Sequence, residues 1–154
     1  MTRQRVLFFS PYAGLWPHAM PEALVAAALR DAGAEITYVT CNGLYARGCS
    51  VMAAHRLPAD ADQAARDRVC VACGKHRDLL TASLEGATIV PLESLISATD
   101  AAAAERLVAE VTPAAAANFE YDGLSLGRYA LHETIIHFKL TTLAEMGPEA
   151  ALTA

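Results

Sequence analysis

Four cysteines, Cys41, Cys49, Cys70 and Cys73, fall within one third of the chain, and none occurs elsewhere. Four thiolates suffice to enclose one tetrahedral metal ion. Their spacing is C-x7-C, then twenty residues, then C-x2-C. A CxxC lets two thiolates address one ion from a tight turn, and Gly74 directly after it suits such a backbone. Cys41 and Cys49 would close the site. Zinc held by four sulfurs with no open position is a structural centre, pinning a loop that lacks a core of its own. An iron–sulfur cluster is satisfied by the same four residues. Two blander readings stand beside these. Cys41 and Cys70 can be small buried hydrophobes. Cys70 and Cys73 can be a disulfide or redox pair, although redox CxxC motifs open a helix after a strand and no strand precedes Cys70.

Three more residues with chemical potential lie near the N-terminus, in Ser10-Pro-Tyr-Ala-Gly14-Leu-Trp16-Pro-His18. A loop that joins the first strand to the first helix lies at the carboxyl edge of an open α/β sheet, where ligands bind. It offers a glycine, an indole and an imidazole, and such a histidine can act as general base on a hydroxyl. The competing role for His18 is to cap the helix, with Trp16 covering core. The loop lacks GxGxxG, so dinucleotide binding is not supported, and Gly74-Lys75 lacks the upstream glycine of a phosphate-binding loop. No Asp-x-His-x-x-Gly occurs, which argues against a cobalamin-binding domain. His55 and His76 flank the cysteines and are substitute ligands that four sulfurs make unnecessary. His132 and His137 stand about 140° apart around a helix, too far to grip one ion together.

The elements that must position these groups follow from periodicity. Arg5-Val-Leu-Phe-Phe-Ser10 reads as a strand buried on both faces. Residues 11 to 17 form a loop, Pro21 suits the first turn of a helix, and Leu24, Val25, Ala28 and Leu29 keep helical spacing up to Gly33. Ile36-Thr-Tyr-Val-Thr40 is a second strand. Strand, helix and strand make a right-handed crossover that opens a parallel sheet. Residues 41 to 58 are irregular. A polar helix from about Ala59 to Val71 is interrupted or ended by the CxxC, and His76 to Leu84 is helical again. Ala87-Thr-Ile-Val-Pro91 is the third strand. Leu92 to Ser97 is a short helix, Asp100 caps another through Val111, and Thr112-Pro113 starts one more. Arg128 to Leu140 is helical, and Gly147-Pro148-Glu149 restarts a helix near the C-terminus. That restart leads us to expect that the chain is the front part of something longer.

The expected fold class is therefore α/β: a Rossmann-like open parallel sheet with flanking helices. Residues 41–76 form a Cys-rich, metal-binding insertion after the second strand. At 154 residues the chain fits one domain. The net charge of −5 and the lack of any Lys/Arg-rich patch exclude a nucleic-acid role. No apolar run approaches the roughly 20 residues that span a bilayer. Arg3 and Arg5 precede an apolar stretch, but Pro11, Gly14 and Pro17 break it too early for a signal peptide. A cytoplasmic location is expected, and a reducing cytosol favours metal binding over disulfides.

The sequence also resembles a known group. Val6-Leu-Phe-Phe-Ser-Pro-Tyr-Ala-Gly14, His18, Glu22, Leu24 and Gly33-Ala-Glu-Ile-Thr-Tyr-Val-Thr-Cys41 are similar to the front half of two-domain GT-B glycosyltransferases. More closely, the chain resembles glycosyltransferase-like proteins of bacterial capsule and surface-carbohydrate biosynthesis. These often carry cysteines after the second strand, a CxxC followed by basic residues, and a later Gly-x-x-x-Gly-x-x-Ala segment. Here the basic residues are Lys75, His76 and Arg77, and the segment is Gly123-Leu-Ser-Leu-Gly127-Arg-Tyr-Ala130. The resemblance implies an acceptor-side N-terminal domain that binds a carbohydrate acceptor, with a nucleotide-sugar as donor substrate. It implies Gly14 and Trp16 as acceptor-binding residues and His18 as the catalytic base. A second nucleotide-sugar-binding domain or a partner chain would have to complete the enzyme, so the chain alone is not expected to transfer sugar. The alternative is a non-enzymatic metal-binding interaction module, built around zinc or an iron–sulfur cluster. A third is a thiol-redox protein.

Overall fold

The computed structural model describes residues 3–45, 48–58 and 60–138. The chain divides into two compact units, residues 1–96 and 97–154. In the first unit, β1 (Arg5–Phe9), α1 (Trp16–Asp31), β2 (Glu35–Thr40), α2 (Ser50–Ala54), α3 (Gln63–Ala82) and β3 (Thr88–Pro91) follow in order. A 3-10 turn, Leu92–Leu95, comes next. The strands form a parallel sheet in the order β1–β2–β3, with Val6 beside Ile36, Phe8 beside Tyr38, and Tyr38 beside Ile89. All three carboxyl ends, and the loops that leave them, therefore lie along one edge. The fold is mixed α/β, with a small three-stranded parallel sheet and flanking helices.

The core sits between one face of the sheet and the helices α1 and α3. Ile36 and Tyr38 of β2 meet Ala19, Ala23 and Ala26 of α1 and Leu80 of α3, with Leu84 below and Val6 and Phe8 at the margin. Alanine at i, i+4 and i+7 lets α1 lie close on the sheet, so its small residues face inward and Leu24 and Val25 stay exposed. The expectation that β1 is buried on both faces does not hold. Leu7 is 64% exposed and Phe9 53%, because the helices that build the core lie on the opposite face from these two.

Helix α1 also starts earlier than Pro21 suggests. The Leu15 carbonyl accepts from the N–H groups of His18 and Ala19, opening the helix at Trp16. Pro17 in its first turn needs no N–H partner. Pro21 lies inside the helix. Arg30, near the end of α1, donates through Nη1 to the Ser83 and Glu85 carbonyls and so ties α1 to the end of α3.

In the second unit, α4 (Ala98–Glu110), α5 (Pro113–Ala116) and α6 (Leu126–Phe138) follow one another. Ser97, not Asp100, caps α4. Its hydroxyl accepts from the Asp100 N–H, and the Asp100 carboxylate accepts in return from the Ser97 N–H and hydroxyl. Those bonds hold the Asp100 carboxyl below its ordinary pKa. Between α5 and α6, Tyr121 and Leu124 pair around Asp122-Gly123, both of which adopt positive φ. The expected helix restart at Gly147 lies outside the described residues. Among the described residues no helix is long and apolar enough to cross a membrane.

Candidate thiol-lined metal centre

The four cysteines come from three places and meet at one. Cys41 directly follows β2, Cys49 precedes the first turn of α2, and Cys70 and Cys73 lie one turn apart on α3. All four line a single cavity of about 380 Å³ at the carboxyl edge of the sheet. All four are half-buried free thiols. Pro11, Val51 and Met52 give the cavity an apolar wall, and Lys75 and the ion-paired Arg77 and Asp78 supply its charged groups.

The CxxC is not a turn. Helix α3 runs unbroken from Gln63 to Ala82, so Gly74 sits in its interior and does not shape a knuckle. Asp62 caps the start, its carboxylate accepting from the Ala65 N–H at 2.7 Å. Cys70, Cys73 and Arg77, at i, i+3 and i+7, then share one face of the helix. Arg77 reaches across to the loop after β2, its Nη1 donating to Asn42 Oδ1 at 2.7 Å. The Asn42 N–H in turn donates to Glu93 Oε2.

Two sulfurs accept backbone hydrogen bonds. The Gly14 N–H donates to Cys73 Sγ at 3.1 Å, and the Gly43 N–H to Cys41 Sγ at 3.3 Å. Burial pushes the Cys73 thiol above its ordinary pKa; the Gly14 N–H pulls it partly back, and Cys49, Cys41 and Cys70 add to the rise. Burial raises Cys70 as well, with Cys49, Cys41 and Asp67 contributing. Cys70 and Cys73 thus lie near enough to the other thiols for their charge to add to the effect of burial. Among the described residues, however, no three His, Cys, Asp or Glu side chains are arranged to hold one ion.

The β1–α1 loop packs directly on this cluster. Where Gly14 lacks a side chain, a Cβ would stand 2.5 Å from Val51 Cγ1 and 3.4 Å from Cys73 Cβ and Sγ. That space is filled by the protein itself, so the missing side chain serves packing against α2 and α3. Trp16 tilts over His76 of α3, with ring centroids 5.1 Å apart, and keeps part of its indole exposed. His76 Nδ1 is buried without a hydrogen-bond partner. His18 is exposed in the first turn of α1, and neither it nor His55 lines the thiol cavity.

Sequence reasoning overlooked Val51, Asn42 and the Gly43 N–H as parts of the site. It noted Arg77 without placing it there. Arg77 was within reach of the sequence: once the CxxC is read as helical, its i+7 position puts it beside both thiols. Searches of protein-family models, curated proteins and solved structures give no match to this chain.

Proposed function

We propose that the four thiols hold a metal centre that fixes the loops after β1 and β2, and that the rim so fixed is the acceptor-binding edge of a glycosyltransferase-type domain. The observation that carries this reading is the convergence of all four cysteines on one cavity, bonded through Gly14 to the loop where such folds bind ligands. The strand order agrees with the first three strands of a Rossmann-like sheet, in which β1 lies next to the second half. Residues 41–76 then act as a Cys-rich insertion that merges into the crossover helix.

In this reading zinc is the simplest occupant and an iron–sulfur cluster the alternative, and either is structural. Trp16 faces the carbohydrate acceptor, and Gly14 holds the loop against the metal centre. His18 takes the proton from an acceptor hydroxyl. The hydroxyl oxygen bonds to the anomeric carbon of a nucleotide-sugar, whose bond to the nucleotide breaks. The donor is bound by a second domain or a partner chain.

Two measurements test the two halves. Protein purified without added metal carries bound metal in stoichiometric amount, and Cys49→Ser removes most of it. A folded, metal-free wild-type protein overturns the centre. In the assembled transferase, His18→Ala lowers turnover by about a hundredfold or more with the fold unchanged. Turnover that stays at the wild-type level removes His18 from the chemistry. The exposed Leu7 and Phe9 favour a second reading, a metal-binding interaction module without catalysis. Metal-loaded protein that binds a partner protein but no saccharide would select it.

A further inference from the structure

We propose that His76 is a further ligand-contacting residue of the acceptor edge, covered by Trp16 in the free protein and uncovered when a hydroxylated ring engages the indole. The inference rests on the acceptor reading above and adds to it one residue and one movement.

Two contacts hold the β1–α1 loop to α3. The Gly14 N–H donates to Cys73 Sγ, and two residues later Trp16 lies over His76, three residues beyond Cys73. The ring centroids are 5.1 Å apart and the planes 51° from parallel, so the indole leans on the imidazole without stacking flat. Trp16 is nonetheless 38% exposed, which leaves a large amphipathic surface at the edge where such folds take ligands.

The histidine is the less ordinary partner. His76 Nδ1 is buried and, among the described residues, has no hydrogen-bond partner. A buried polar atom left unpaired costs stability, and an apolar ring of similar shape would avoid that cost. A neutral imidazole nitrogen is a donor or an acceptor according to tautomer, and a hydroxyl group satisfies either. A ligand with a hydroxyl beside an apolar face therefore suits both rings: the indole covers the apolar face, and the hydroxyl pairs with Nδ1. Saccharides carry both features in one ring. To reach Nδ1 the ligand must displace the indole from the imidazole. The hydrogen bond it then makes exists only in the displaced state, and that difference between the two states drives the movement.

Trp16 is the single tryptophan of the chain, so its fluorescence reports this contact alone. The test titrates the full chain with the methyl glycosides of glucose, galactose and N-acetylglucosamine in turn, following emission and, by calorimetry, binding. At least one should bind saturably and raise emission as the indole leaves the quenching imidazole. His76→Asn, which keeps a polar atom near the Nδ1 position, should bind within about threefold of wild type, and His76→Phe about tenfold more weakly. His76→Phe should also unfold at no lower urea concentration than wild type. Wild-type affinity in His76→Phe overturns the role of His76 and leaves the acceptor reading standing. Saturable binding without any change in emission overturns the movement of Trp16. Absence of binding by all three glycosides overturns both readings. Should His76→Phe fail to fold, His76→Gln replaces it, because its amide lies nearer the Nε2 position: weaker binding than His76→Asn supports the proposal, and equal binding overturns it.

Discussion

Gly127→Ala is expected to destabilise the second unit by about 3 kcal/mol, at the upper end of overpacking costs. In a unit of this size that lowers the unfolding midpoint by roughly 10 °C or more. The reason lies in what a methyl group would strike. Gly127 is buried in the first turn of α6, and a Cβ there runs into the Ala116 carbonyl oxygen, 2.8 Å from the Phe119 nitrogen and 3.0 Å from the Ala116 carbonyl carbon. All three are backbone atoms, two at the end of α5 and one in the turn after it, so no rotamer change relieves the clash. Moving α6 away breaks the bond from the Gly127 N–H to the Phe119 carbonyl, 2.8 Å long in the native chain. Gly123 makes an instructive contrast. Nothing lies within 4 Å of a Cβ built there, and only its φ of +76° resists substitution. Gly123→Ala should therefore cost only about 1–2 kcal/mol, the penalty of a left-handed residue. Hydrogen exchange over residues 126–132 in the full chain reads both. Wild-type protection in Gly127→Ala would mean that α5 and α6 are not packed backbone to backbone.

Those two glycines belong to one sequence segment, yet nothing in the segment says that one serves a turn and the other a contact. The same limit governs what could be read elsewhere. Strands β1, β2 and β3 were legible because β-branched and aromatic runs are short and bounded by Gly, Pro and polar residues. What covers them was not legible. A parallel-type apolar run such as Val6 to Phe9 looks alike whether one face or two are packed, and here Leu7 and Phe9 stay exposed.

The site shows a similar division. That Cys41, Cys49, Cys70 and Cys73 act together followed from their clustering in a chain otherwise free of cysteine. The local backbone around Cys70 and Cys73 did not follow, because CxxC fits a turn or a helix equally well. Gly74 suggested a break. A single glycine costs a helix only about 1 kcal/mol, and the Asp62 cap with the Ala, Arg and Leu of α3 outweighs it. Arg77 and Asn42 then meet only because α3 passes the loop after β2 at a register that no local pattern encodes.

Gly14→Ala carries the second large effect, and it joins fold to site. The new Cβ would stand 2.5 Å from Val51 Cγ1, a distance that real contacts do not reach, so the β1–α1 loop must lift from α2 and α3. Lifting stretches the 3.1 Å bond from the Gly14 N–H to Cys73 Sγ and opens the cavity beside the thiols. Overpacking of this kind costs about 1–3 kcal/mol, and metal occupancy should fall along with stability. Val51 is the obstacle, so Val51→Ala should relieve most of the penalty. Because Val51 is buried, that change alone costs stability by leaving a void. In the double variant the two losses should therefore sum to less than their separate values, with a coupling of about 1–2 kcal/mol. Cys73 Cβ and Sγ, 3.4 Å from the added methyl, keep the rescue incomplete. Urea unfolding of the four proteins, with metal content measured on each, completes the cycle. Strictly additive losses would mean that Val51 does not press on Gly14. The loop would then be held against the thiols by some other contact.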